Sequence, residues 1–330
     1  MIDRLYRNVQ YLKHHNIGIW KYVYKINKLL INILYPLKAR LAGAKGTDAN
    51  SDIVVSLTTY PARIKTVWVT IATLLNQTYK PQRVILWLSK EQFREDGEDL
   101  PYNLVKLKKR GLEIRYVDGD LKPHKKYYYA FRECWDITDD KSITDSLSGS
   151  SVRIVTADDD IFYPGRFIEH MAEASDRYPD AVICSWSHKI ALAASQDNEN
   201  GDGSQIQFAD YNSWEDNVTN KPDIMTMPVG CNGVLYKKEF FDDKLYDTDS
   251  ISRYALYTDD LWLKVMEVRN GIKAYNYSNE PLIYYNNIYT MKSGMWHSNA
   301  QSDDNRNDRV WNELMEVYSD AKKLLISSES

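Results

Sequence analysis

The chain predicts a mixed α/β fold: a mostly parallel central sheet flanked by helices, preceded by an N-terminal amphipathic helical extension and closed by a C-terminal helix. Short apolar runs of strand length alternate with stretches whose apolar residues recur every three or four positions. Alternation of this kind favours parallel strands joined by covering helices, with ligands bound beyond the carboxyl ends of the strands. A length of 330 residues at 43% hydrophobic content suffices for one large domain with a full core.

Residues 1–42 form the extension. Ile19, Val23, Ile26, Leu30, Ile33, Leu37 and Leu41 recur at helical spacing, with Lys21, Lys25 and Lys28 on the other side, and Pro36 is expected to bend the helix. Two readings stay open for it: packing on its own domain, or docking on an anionic membrane surface. Residues 43–52, small and polar, read as a linker.

One domain is expected over 53–325, in two parts at about 53–190 and about 191–300, with a last helix at about 306–325. Its first unit is the run Ile53–Leu57 followed by the helical pattern Ile64, Val67, Trp68, Ile71, Leu74, Leu75. Further strands are expected at Val84–Leu88, Leu112–Val117, Val152–Ala157, Ala181–Trp186 and Val234–Tyr236. Helices are expected near 123–135, 165–177 and 259–270, the last closed by Gly271. Residues 138–151 and 194–222 read as polar loops.

Six Lys and three Arg against Asp3 alone put about +8 on residues 1–45, which leaves about -12 for the remainder of a chain with a total of -4. Basic charge therefore sits on the extension, and the body is not a nucleic-acid-binding surface. Cys134, Cys184 and Cys231 lie far apart without metal-binding spacing. Neither a membrane span nor a cleavable leader is legible. A cytoplasmic chain with reduced cysteines, peripheral on the inner membrane face if the extension docks there, is the expectation.

The chemistry centres on VRIVTADDDIFYPGRF, where Asp158, Asp159 and Asp160 end a strand before a Pro-Gly turn. In an extended segment Asp158 and Asp160 point to one side and Asp159 to the other. Two carboxylates with open positions for water and phosphate oxygens suit Mg²⁺ or Mn²⁺. A capped, solvated loop is the alternative. Asp118-Gly119-Asp120 is a weaker match at another strand end, and Asp259-Asp260 opens a helix, where carboxylates are stabilised by exposed N–H groups.

In order, SLTTYPARIKTVWVTIATLLNQTYKPQRVILWLS, DGDLKPHKKYYYA, VTADDDIFYPGRF and YTDDLWLKVMEVRNGIKAY resemble a GT-A-fold glycosyltransferase, related to the family 2-like bacterial enzymes that build surface polysaccharides, over roughly residues 53–300. The resemblance implies a Rossmann-like GT-A sheet and an inverting, metal-dependent transfer of a hexose. The donor would be a nucleotide sugar, by expectation UDP-linked, and the acceptor a hydroxyl of a lipid-linked oligosaccharide or polysaccharide. It implies Asp158 and Asp160 as ligands of Mn²⁺ or Mg²⁺, with His297 as a third, and Asp260 as general base. Thr58, Tyr60, Arg63, Lys126, Asp159, Gly230, Asn232 and Asp259 match donor-side positions, and Trp186 and Trp214 are expected on the acceptor side. Ser89-Lys90-Glu91 stands where the family usually has a base-reading Asp, and Asp118 is a candidate for that role. A sugar nucleotidyltransferase shares the strand-end carboxylates, yet TTYPARI supplies none of the glycines of its triphosphate loop. A non-catalytic, membrane-docked interaction protein would not need the metal pair and the acidic helix start together.

Overall fold

The computed structural model describes residues 2–41, 45–135, 152–194, 206–217, 219–278, 284–293 and 305–329. Its centre is a seven-stranded sheet built from β1 (Ile53–Thr58), β2 (Arg83–Ser89), β3 (Leu112–Val117), β4 (Arg153–Ala157), β5 (Ala181–Cys184), β6 (Val234–Tyr236) and β7 (Lys273–Asn276). The spatial order is β7-β5-β6-β4-β1-β2-β3. Every neighbouring pair is parallel except those of β6, which runs against β4 and β5. The mixed α/β, mostly parallel architecture expected from the alternation is the one observed.

Strands β1, β2, β4, β5 and β6 are buried on both faces, as their nearly continuous apolar runs require, whereas the edge strand β3 keeps Arg115 exposed. Along β1 the pleat sends Ile53, Val55 and Leu57 into one core and Val54 into the other. The first core is covered by α1 (Ile2–His14), α2 (Trp20–Leu41), α3 (Val67–Leu74) and α5 (Phe167–Arg177). The second is covered by α4 (Lys125–Cys134), α6 (Asp259–Arg269), α7 (Arg306–Val317) and α8 (Ser319–Ser328).

Several expectations are corrected. The extension is two helices, and Pro36 lies inside the second of them. It packs on the domain through Tyr6, Asn27, Ile31, Asn32 and Tyr35, a different face from the stripe legible in the sequence. Tyr6 Oη donates to Phe162 O at 2.5 Å, and Asn32 Nδ2 donates to Asn286 O at 3.1 Å. Ile19, Ile26, Leu30, Ile33 and Leu37 of the stripe stay exposed. In the linker, Gly46 N–H donates to Leu75 O at 3.0 Å and Arg153 Nε donates to Asp52 Oδ2 at 2.8 Å. Residues 45–52 are thus pinned to the sheet rather than free, because the domain itself satisfies their polar groups. The last helix breaks at Tyr318 into α7 and α8. Residues 136–151, which include the whole of the first polar loop, and 195–205 and 218 of the second lie outside the described residues. Among the described residues no helix is long and apolar enough to cross a membrane.

α6 also buries an ion pair. Lys264 and Glu267 are fully enclosed with Nζ and Oε2 3.4 Å apart. Burial pushes Glu267 up to about 7, against the pull of Lys264. Between the ordinary value of 4.5 and about 7 the folded chain keeps a proton that the unfolded chain has released, so stability falls as pH rises through that window. Asp160 and Asp260, also pushed to about 7, add to the same slope. Glu267→Gln is expected to remove one proton's share of it, readable as a flatter dependence of Tm on pH.

Candidate active site

A cleft of about 780 Å³ opens at the sheet edge where β1 and β4 end. β6 runs the opposite way, so its start, with the turn Gly230–Asn232 before it, lies at the same edge. Three chain-distant segments therefore meet there: the acidic turn after β4, the start of α4 and the start of α6.

The triplet divides by contact. Asp159 is 5% exposed and turned from the cleft; Thr59 Oγ1 donates to its Oδ2 and Arg63 Nη1 to its Oδ1, each at 2.5 Å. Asp158 and Asp160 line the cleft. The turn is not extended, and it is held in shape by neighbours rather than by strand pairing. Asp158 N–H donates to Tyr163 Oη at 2.9 Å, and that hydroxyl donates to Cys231 O at 2.9 Å, which ties the acidic turn to the turn before β6. Asn287 N–H donates to Asp160 O at 2.7 Å, and Arg63 Nη2 lies 3.1 Å from Asp160 Oδ2. Burial and the neighbouring carboxylates Asp159 and Asp158 push Asp160 up to about 7 even with Arg63 opposing.

Lys126 sits between the two acidic segments. Its Nζ is 2.7 Å from Asp158 Oδ1 and 3.0 Å from Asp259 Oδ2, the second an ion pair without hydrogen-bond alignment. Burial works against the ammonium, yet Asp158, Asp259 and Asp260 outweigh it and hold the group well above its ordinary value. Its backbone is fixed as well: Ser56 Oγ donates to Lys126 O at 2.5 Å and itself accepts from Trp87 Nε1 at 2.9 Å.

Asp260 opens α6 and faces the cleft, with protein packed around the rest of the group. Gly230 N–H donates to its Oδ2 at 3.1 Å, and a Cβ at residue 230 would overlap Asp260 Oδ1. A glycine is needed there for close approach. Burial and Asp259 push Asp260 up to about 7, opposed by Lys126 and the Gly230 N–H.

The remaining expected residues divide. Asn232 and Trp186 line the cleft, and Trp186 Nε1 donates to Asp216 Oδ1 at 2.8 Å. Trp214 borders the cleft but is 4% exposed, set edge-on to Trp311 at 5.2 Å, so it serves the core first. Thr58 Oγ1 caps Trp87 O at 2.8 Å, and Tyr60 lies under the Arg63 guanidinium; neither borders the cleft. Asp118 also stands away from it, its side chain 90% exposed and paired with Lys90 at 3.1 Å. Asp120 is locked by Lys122 and Lys125. Asp118-Gly119-Asp120 is thus a structural ion-pair cluster. His297 lies outside the described residues.

Sequence reasoning missed two positioning residues. Besides the Tyr163 bridge there is His124, fully buried, whose Nε2 lies 2.8 Å from Ala255 O and therefore donates, while Nδ1 accepts from Tyr127 Oη at 2.9 Å. Burial lowers its pKa to about 4, so the ring stays neutral and joins the segment carrying Lys126 to the one leading into Asp259. His124 precedes two lysines after Lys-Pro, a context in which charge, not a buried tie, is the natural reading.

Five carboxylates, Asp158, Asp159, Asp160, Asp259 and Asp260, meet Arg63 and Lys126 in this one region. Among the described residues no group of three His, Cys, Asp or Glu side chains is placed to hold a metal ion. Asp158 and Asp160 open onto the cleft as a pair, and phosphate oxygens and water complete such a shell around a hard cation. Asp158 and Asp160, with Lys126 and Arg63 respectively beside them, are the two side chains that would hold a divalent metal there.

No family model matches the chain, and no curated protein matches it. Among solved structures it is similar to the 2-C-methyl-D-erythritol 4-phosphate cytidylyltransferase of Francisella tularensis, at 11% identity and a TM-score of 0.34, over 68% of this chain and 87% of that one. A likeness of that size carries no inference about chemistry.

Proposed function

We propose that this chain is an inverting, metal-dependent glycosyltransferase that moves a hexose from a nucleotide sugar to a hydroxyl of a glycan or lipid-linked acceptor. The observation that carries this reading is the meeting, in one cleft, of the acidic pair Asp158 and Asp160, the buried cation Lys126 and the carboxylate Asp260 at the start of α6. Asp158 and Asp160 would hold the cation on the donor diphosphate, where it supplies charge stabilisation to the departing phosphate. Lys126 adds positive charge on the same side. Asp260 accepts the proton of the acceptor hydroxyl as that oxygen attacks the anomeric carbon. A single displacement opposite the leaving nucleoside diphosphate inverts the centre. The value of about 7 leaves Asp260 a useful base near neutrality.

Thermal stabilisation by a panel of nucleotide sugars with Mn²⁺ tests the reading. A ligand at one hundred times its Kd adds about 2.7 kcal/mol of stability. One donor is expected to raise Tm by several degrees, an effect lost with chelator and in Asp158→Ala. Stabilisation indifferent to both would remove the metal from the proposal. Pyrophosphate release from a nucleoside triphosphate and a sugar phosphate would point instead to a nucleotidyltransferase.

A further inference from the structure

α2 carries two apolar faces, and only one is used by the fold. The inner face, with Ile31 and Tyr35, is buried against the domain. On the opposite side Tyr22, Ile26, Leu29, Ile33 and Leu37 are 70%, 61%, 55%, 58% and 50% exposed at spacings of three and four, and Ile19 and Leu30 lie beside them. From Ile19 to Leu37 the stripe runs roughly 27 Å along the helix. Single exposed apolar side chains are ordinary, but a continuous stripe of this length marks a surface that something covers.

Charge identifies the partner. Lys21 and Lys25 flank the stripe and are exposed, and Lys38 and Arg40 stand exposed near its end. No Asp or Glu occurs between Asp3 and Asp48, while the remainder of the chain is strongly acidic. A helix with an apolar face, cationic flanks and too little apolar length to span lies in the plane of an anionic bilayer. A second copy of this chain would bring like charge against like charge.

We propose that the α1–α2 hairpin is an in-plane anchor whose outward stripe enters an anionic bilayer and holds the cleft mouth beside it. The same hairpin also lines the cleft, because Lys13, Tyr24 and Lys28 border it together with Asp158 and Asp160. Resting on the transferase reading, the acceptor this placement serves is a membrane-borne lipid bearing a phosphate-linked sugar, which passes Lys13 and Lys28 on entry.

Flotation of the full chain with vesicles of phosphatidylglycerol and phosphatidylcholine in equal parts, and with phosphatidylcholine alone, tests the anchor. The wild type is expected to float with the first and far less with the second. Ile26→Glu with Ile33→Glu is expected to weaken binding at least about tenfold, and Lys21→Gln with Lys25→Gln about fivefold for each charge removed. All four positions are exposed, so Tm is expected to stay unchanged. A wild type that remains in the soluble fraction, or a glutamate variant that floats equally well, overturns the proposal. So does a wild-type dimer that the glutamate variant disperses, which would assign the stripe to a second copy. Nucleotide-sugar stabilisation, measured on the same proteins, fails separately: its loss with vesicle binding intact would count against the transferase alone.

Discussion

Asp260→Asn is expected to lower transfer by about 10²–10⁴-fold, the range for losing a positioned general base. The amide still fills the space beside Gly230, so packing is kept, but it takes no proton from an acceptor hydroxyl. Metal-dependent binding of the donor, measured by thermal shift, is expected to persist, because Asp158, Asp160 and Lys126 are untouched. Transfer by the wild type should fall as pH drops below about 7, since burial and Asp259 raise the value through which Asp260 loses its charge. Transfer left unchanged by the substitution would remove Asp260 from the mechanism.

Arg63→Met is expected to cost about 3–5 kcal/mol of folding stability, the usual result of stripping one partner from a buried ion pair. Arg63 is 7% exposed and holds both Asp159, at 2.5 Å, and Asp160, at 3.1 Å. Without it the enclosed Asp159 and the half-buried Asp160 must ionise without that partner or keep their protons. The loss is therefore expected to be larger at pH 8 than at pH 5, because burial raises both carboxyls and their protonated forms are easier to reach at the lower pH. Adding Asp159→Asn should recover part of it, because the amide needs no counter-charge. Denaturant midpoints of the single and double variants at the two pH values check both statements. An Arg63 that only met the nucleotide would lower donor affinity with little change in the midpoint.

Much of the fold was legible because its signals are local. The runs expected as strands at 53–57, 84–88, 112–117 and 152–157 became strands within a residue of those bounds, the inner ones because a sheet covered on both faces demands continuous apolar residues. That Asp158 and Asp160 turn to the cleft and Asp159 away from it was also legible, although the cause is a turn locked by Thr59, Arg63 and Tyr163 and not strand alternation.

Only the tertiary structure decided which charges meet. Asp118-Gly119-Asp120 and Asp158–Asp160 read alike as motifs, but the first is neutralised by Lys90, Lys122 and Lys125. The second keeps two carboxylates on the cleft, beside the buried cations Lys126 and Arg63. The extension shows the same limit: its sequence displays an apolar stripe, yet packing chose the other face, with Asn32 and Tyr35 reaching segments that are distant in the chain. By itself the sequence determined the alternation of strands and helices, the acidic strand end and the basic amphipathic extension, each a matter of neighbouring residues. Counter-charges, the buried ties at His124 and Tyr163 and the choice of helix face depend on partners brought together by folding, and no local pattern encodes them.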